Sequence, residues 1–212
     1  MILKYKTGKG LALLAMTLVL FVFTCLADSA SAATSLAVPA GVVEKLERTL
    51  TATRDGVAHE LTQGSKVYSF DVIKTGMIGY ALIRLIDNTF IELGSSSVLN
   101  IVDIAFNARS SRLHVALDHG SARVRTGSIG LKDKYGINIT TPRSIVTSSN
   151  SVLFFIVQPD EERMDVEWLP AGPTVSVYNV NTGKTYELME PLLSLLTGPL
   201  NEVAIEKLNP AE

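Results

Sequence analysis

The chain has 212 residues, 19 Lys and Arg against 21 Asp and Glu, and one cysteine. So even a balance argues against the clustered basic face that nucleic-acid phosphates require. With 47% hydrophobic residues at this length, one compact domain with its own core is expected.

Lys4, Lys6 and Lys9 precede an apolar run of sixteen residues, 11–26, and Ala30-Ser31-Ala32 follows it. A basic head, an apolar centre and a small-residue tail form the pattern of a secretory signal peptide over 1–32, cut between Ala32 and Ala33. The alternative is an uncleaved anchor, for which sixteen residues fall short of the ~20 that span a bilayer. Cys25 lies inside the run, and the bulk of Phe23 and Thr24 before it disfavours lipid attachment there. Removal of 1–32 leaves 180 residues, with 16 basic (19 less three lysines) and 20 acidic (21 less Asp28). No thiol remains, and therefore no disulfide, cysteine metal site or cysteine nucleophile. Residues 33–41, small and holding Pro39, read as a mobile leader.

From Val42 the signal is β. The stretch 43–53 alternates, and Asp55-Gly56 turns it into 57–61. After 67–70 comes a central hairpin: 80–86 (YALIRLI) and 89–93 (TFIEL), reversed at Asp87-Asn88, residues that tolerate left-handed backbone. The runs 98–106, 113–117 and 122–125 follow, the last two joined through Asp118-His119-Gly120 as a further hairpin turn. Thr141-Pro142 stops the strand 137–140, because proline cannot donate to a ladder. The run 152–157, VLFFIV, reads as a strand buried on both faces. The runs 164–168, 174–180 and 184–188 complete the pattern. Short strands spaced by turns predict an all-β fold, a single domain of antiparallel strands in a sandwich or coil. Only 189–212 differs: 192–196 and 201–208 are compatible with helix, punctuated by Gly198-Pro199, and are expected to dock on the β domain. No exact repeat is found.

The series KTG..GYALIRLIDNTFIELGSSSVLNI, LHVALDHGSARVRTG, INITTPRSIV and AGPTVSVYNVNTGKTYEL, in that order, resembles the FecR domain family over about residues 42–188. The resemblance rests on Thr75-Gly76, Asp87-Asn88-Thr89, 95–99, 117–124, Thr141-Pro142 and 172–177. One departure is Ser149-Asn150-Ser151, where family members usually hold Arg-Gly-Thr. The resemblance implies a stand-alone, exported all-β domain. A sigma-factor-binding segment does not fit the few residues ahead of the apolar run.

No reactive constellation stands out. His59, His114 and His119 are not spaced as metal ligands. Asp87, Glu92 and Asp103, the carboxylates that could pair for glycoside hydrolysis, read instead as a turn residue and two solvated strand positions. Ser95-Ser96-Ser97 reads as a polar turn. No catalytic, metal or cofactor site is therefore expected. If the turn at Asp118 folds the chain back, Arg112 meets Arg123 and Arg125 in a patch for an anionic ligand; a solvated face that keeps sheet edges apart is the simpler reading. Tyr178, Tyr186 and Trp168 are core candidates or a sugar-stacking platform. The sequence therefore reads as a non-enzymatic binding or scaffold module of the bacterial envelope, periplasmic or secreted. Its partner is an envelope protein or glycan, and the mature chain has no transmembrane helix. A sensory signalling component and a glycan-acting enzyme are the rivals. N-terminal sequencing of the exported protein is expected to begin at Ala33; a protein recovered from the cytosol with Met1 intact would contradict this.

Overall fold

The computed structural model describes residues 38–200 and 202–208. The signal segment with Ala30, Ala32 and Ala33, most of the leader, and Asn201 lie outside the described residues. The described residues hold seventeen strands and one short helix.

The first strands are β1 (Pro39–Glu47), β2 (Leu50–Arg54), β3 (Val57–Glu60), β4 (Lys66–Tyr68), β5 (Val72–Thr75), β6 (Tyr80–Leu85), β7 (Phe90–Leu93), β8 (Val98–Phe106) and β9 (Ser111–Arg125). The helix α1 (Ser128–Lys132) follows. Then come β10 (Ile137–Thr140), β11 (Ser144–Ser148), β12 (Val152–Val157), β13 (Glu162–Trp168), β14 (Val175–Asn179), β15 (Thr185–Leu188), β16 (Leu193–Thr197) and β17 (Val203–Lys207). Sheet A runs β4-β1-β6-β7-β9-β12-β13-β16-β17. Sheet B runs β3-β2-β5-β8-β9-β10-β11-β14-β15. Every pairing is antiparallel except β9 with β10, where α1 carries the chain back to run alongside β9. The all-β expectation stands, and the turns at Asp55-Gly56 and Asp87-Asn88 form as the left-handed backbone of Asp55, Gly56 and Asn88 allows.

Period-two alternation sends one side of each sheet into a single shared core. Ala81, Ile83 and Leu85 of β6, Ile91 and Leu93 of β7, and Leu153, Phe155 and Val157 of β12 are buried from sheet A. From sheet B come Ile73, Leu99, Ile101, Leu113, Val115, Ile137, Val146 and Val177.

Four expectations are corrected. The leader read over 33–41 does not extend to its last residues: Pro39, Ala40 and Gly41 belong to β1, and Ala40 is buried. Asp118-His119-Gly120 is no hairpin turn: β9 runs unbroken for 15 residues, with its first half in sheet B and its second in sheet A. The register slips there, Val98 facing His119 and Leu99 facing Leu117, so Asp118 is the extra residue of a β-bulge. The run VLFFIV is buried on one face only; Val152, Phe154 and Ile156 are half-buried on the other. The C-terminal stretch is a strand pair, not helix. Leu193, Leu195 and Thr197 alternate with Ser194 and Leu196, and β16 pairs with β13, so tertiary pairing overrides the weak helical preference. Docking is as expected, since Leu195 is buried, but it occurs by strand addition.

Two hydroxyl knots tie the loops between sheets. Thr75 Oγ1 donates to Gly94 O (2.6 Å) and accepts from Ser97 N (2.8 Å). Thr126 Oγ1 donates to Ser149 O (3.0 Å) and accepts from Ser151 N (2.8 Å). The flanking sequences match in kind: Lys74-Thr75-Gly76 and Arg125-Thr126-Gly127, then Ser97-Val98-Leu99 and Ser151-Val152-Leu153. The departure at Ser149-Asn150-Ser151 is thus part of a buried knot.

Phe155 is 1% exposed while Phe154 faces outward. Phe155→Ala is expected to cost about 3–5 kcal/mol and Phe154→Ala clearly less, read as denaturation midpoints. Equal shifts would show that the assignment of faces is wrong.

Glu162 is buried beside the β16 strand, accepting from Thr141 Oγ1 (2.6 Å) and Arg143 N (2.7 Å). Burial pushes its carboxyl above the ordinary value, against the lowering effect of those hydrogen bonds and of the Arg143 guanidinium. A raised carboxyl favours the protonated folded state, so its stabilisation is present below the unfolded value of about 4.3 and is lost as pH rises through the folded value. The melting temperature of Glu162→Gln relative to the native protein is therefore expected to rise from pH ~4 to pH ~7. A constant difference across that range would count against a raised Glu162.

Candidate partner-binding face

The side of sheet A turned away from the core is built from the alternate residues of five strands. Leu82, Glu92, Arg123, Phe154 and Asp165 lie opposite one another in consecutive strands β6, β7, β9, β12 and β13. A second row holds Arg84, Phe90, Arg125 and Val152. Leu82, Phe90, Val152, Phe154 and Ile156 are all half-buried, so the face carries an apolar band that Arg123 and Arg125 of β9 interrupt.

The charges on this face are matched. Arg123 bonds Glu167 through Nε and approaches Glu92 at 3.4 Å. The hydrogen bond to Glu167 raises the Arg123 guanidinium above its ordinary value, against the opposing effect of burial. Arg84 pairs with Glu44, Arg163 pairs with Asp165 at 2.8 Å, and the Arg125 guanidinium lies 4.4 Å from the centre of the Phe90 ring. Burial, followed by the charge of Glu92, pushes the Tyr80 hydroxyl up. With the neighbouring strand β1 included, five cations (Lys45 and arginines 84, 123, 125 and 163) are set against five acids (44, 47, 92, 165 and 167), which leaves the face without net charge.

At one end the band opens into a groove of about 450 Å³, with Phe154, Ile156 and Pro159 on its apolar side and Ser95, His119 and Gly120 on its polar side. The loop beside it is fastened by Ser96 N donating to Gly76 O (2.9 Å) and Gly79 N donating to Ser95 Oγ (3.3 Å). Between those anchors Met77 and Ile78 stand 88% and 74% exposed. Consecutive large apolar residues held in water on a fastened loop are a feature of contact surfaces.

The structure does not assemble the anionic-ligand patch. Arg112 lies in the sheet B half of β9, eleven residues before Arg123 on one continuous strand, about 36 Å along it. It is bonded to Asp103. Arg123 and Arg125 do share a face, where acids and the Phe90 ring engage them. The carboxylates Asp87, Glu92 and Asp103 do not converge. Asp87 is buried, accepting from Thr89 N (3.0 Å) and Thr89 Oγ1 (2.8 Å), while Glu92 and Asp103 pair with arginines. His114 meets Thr140 Oγ1 at 3.3 Å, His59 is exposed, and His119 borders the groove. Among the described residues no three His, Cys, Asp or Glu gather as metal ligands. Tyr186 packs on the core, whereas Trp168 and Tyr178 stand 47% and 40% exposed. The sequence reading missed Met77 and Ile78 and the outward side of Phe154 and Ile156. The adjacent glycines Gly76 and Gly79 and the strict alternation of β12 were the available signals.

Residues 71–169 match a family model described as "FecR protein", a narrower span than the resemblance drawn from the sequence. Two crystal structures, at 2.50 Å and 1.65 Å, described as "a putative anti-sigma factor from Parabacteroides distasonis ATCC 8503" share the fold. They superpose with TM-scores of 0.51 and 0.50 at 14% identity, over 65% of this chain. The match spans 60% of the length of those structures. No curated protein matches the sequence.

Proposed function

We propose, from the FecR domain that residues 71–169 carry, that this protein is a non-catalytic binding module of the bacterial envelope that engages a protein partner across the outer face of sheet A. The observation that supports this most is the placement of apolar residues on either side of β9, Leu82 and Phe90 on one side and Phe154 and Ile156 on the other, with Arg123 and Arg125 between them and the exposed Met77-Ile78 loop beside them. Protein interfaces combine an apolar centre with arginines, and a face without net charge does not favour a polyanion. Export is supported by the three-part pattern of residues 1–32. The non-catalytic reading is supported by the family, a regulatory one, and by the use of each candidate carboxylate in a turn or an ion pair.

A second reading, a sensory component of a signalling system, is favoured by the fold shared with the structures described as an anti-sigma factor. One experiment addresses both. Tagged full-length protein is cross-linked in envelopes, and its partner is purified and titrated against the native protein, Ile78→Glu and Phe154→Glu. Either charge, one on the loop at the end of the face and one on the face itself, is expected to weaken binding at least about tenfold. Unchanged affinity in both variants would overturn the assignment of this face. Recovery of an inner-membrane signalling protein would favour the sensor, and wall or outer-membrane material the scaffold.

A further inference from the structure

The outer side of sheet B has a different chemistry. Asp103, His114, Asn138, Thr147, Ser176 and Glu187 lie opposite one another in β8, β9, β10, β11, β14 and β15, an unbroken polar row six strands wide. Their chain neighbours Ile137, Ile139, Val146, Val175 and Val177 point into the core, so the row is fixed by the same alternation that builds the sandwich. The middle of the row is uncharged and already organised. Thr147 Oγ1 donates to Asn138 Oδ1 (3.1 Å), and Ser176 Oγ donates to Glu187 Oε1 (2.8 Å).

Over the Thr147–Ser176–Glu187 end lies a cavity of about 380 Å³, walled by Lys134 and Tyr135 on one side and by Pro173 on the other. That volume is within the ~300–1,000 Å³ of small-ligand sites. Tyr135 is 62% exposed, three positions before Asn138 of β10. Tyr178 is 40% exposed, two positions beyond Ser176 on the same side of β14. Because β10 and β14 run in the same direction, these tyrosines flank the polar row from opposite sides.

We infer that this cavity and row form a second binding site, for a neutral, unbranched oligosaccharide. Adjacent hydroxyl, amide and carboxylate groups, one per strand at ~4.8 Å, present alternating donors and acceptors along a line, which suits the repeated hydroxyls of an extended sugar chain. Exposed tyrosine rings offer apolar faces with a polar tip, the combination on which the C–H face of a sugar stacks. Lys134 and Glu187, the charged groups at the cavity, are of opposite sign, so no net charge selects an ionic ligand. An apolar ligand would strip water from the hydrogen-bonding capacity that the internal pairs of the row leave unused, which disfavours it.

Two neutral probes test this, the tetramer of β-1,4-linked N-acetylglucosamine and that of β-1,4-linked glucose, titrated into isotope-labelled full-length protein and followed by amide chemical shifts. At least one probe is expected to give saturable shifts centred on Thr147, Ser176 and Glu187. Tyr135→Ala and Thr147→Val, the second of which keeps shape and strand preference, are expected to weaken binding about tenfold with unchanged melting temperature. Phe154→Glu, on the other sheet, is expected to bind the sugar as the native protein does. Absence of saturable shifts from both probes, shifts that map elsewhere, or affinities unchanged in both sheet B variants would overturn the site.

Discussion

The architecture turns on one buried hydroxyl. Ser97 Oγ shares its proton between the carbonyls of Gly94 and Ser121 (2.9 Å each) and accepts from Ser121 N (3.0 Å). It sits where β9 leaves sheet B and enters sheet A. A strand that changes sheets has a local gap in its ladder, and its polar groups must find partners elsewhere. The serine supplies them. Gly120 makes the approach possible: its φ is +94°, and a Cβ there would lie 2.5 Å from Ser97 Cα. The crossing therefore requires a small hydroxyl on one side and no side chain on the other.

The neighbouring threonine knot, Thr75 with Gly94 and Ser97, does recur, at Thr126 with Ser149 and Ser151, and similar strand pairings follow each copy. β5 pairs with β8 beyond the first knot, and the end of β9 pairs with β12 beyond the second. A two-strand hairpin intervenes each time, β6–β7 and then β10–β11. The two units lie on opposite sheets, so the chain winds between layers. An exact repeat is not visible in the sequence because the strands between the knots need only alternate apolar residues. The knots, by contrast, need particular hydroxyls and glycines.

This explains what was legible in the residues and what was not. Strand class, the hairpin at Asp87-Asn88 and the turn at Asp55-Gly56 are local properties, carried by alternation and by left-handed backbone. The bulge at Asp118 is not local. Asp-His-Gly has turn chemistry, and only the pairing of both halves of β9 with different neighbours keeps the strand extended. For the same reason the helical reading of 192–196 and 201–208 fails, since β13 offers β16 an edge, and β16 offers one to β17, that no property of either segment announces. The candidate sites were still less accessible. Period two tells which side chains share a face of one strand, but not which strands are neighbours. The row from Asp103 to Glu187 draws on six segments, and Arg112 and Arg123 occupy different sheets although they share a strand.

The two outer faces are unlike, and β9 contributes to both, with His114 on one and Arg123 and Arg125 on the other. A sandwich selected only for solubility has no need to keep Phe90, Phe154 and Ile156 half-exposed on one side and an aligned row of polar groups on the other. At the crossing Gly120 is packed closely on Ser97 on one side and borders the groove on the other, and the Ser97 hydroxyl is engaged by Gly94 and Ser121. A sensor requires an element with two arrangements of similar free energy. The β9 crossing does not supply one. The nearest candidate is the β16–β17 pair, where Ser194 Oγ and Thr197 Oγ1 are buried without hydrogen-bond partners, Leu192 takes a left-handed backbone and β17 is largely exposed. That pair adds to β13, away from the β9 crossing, so its movement would leave the spacing of the two faces unchanged. Ligands on the apolar face and on the polar one would therefore be held at a constant separation by β9, whichever element of the sandwich they engage.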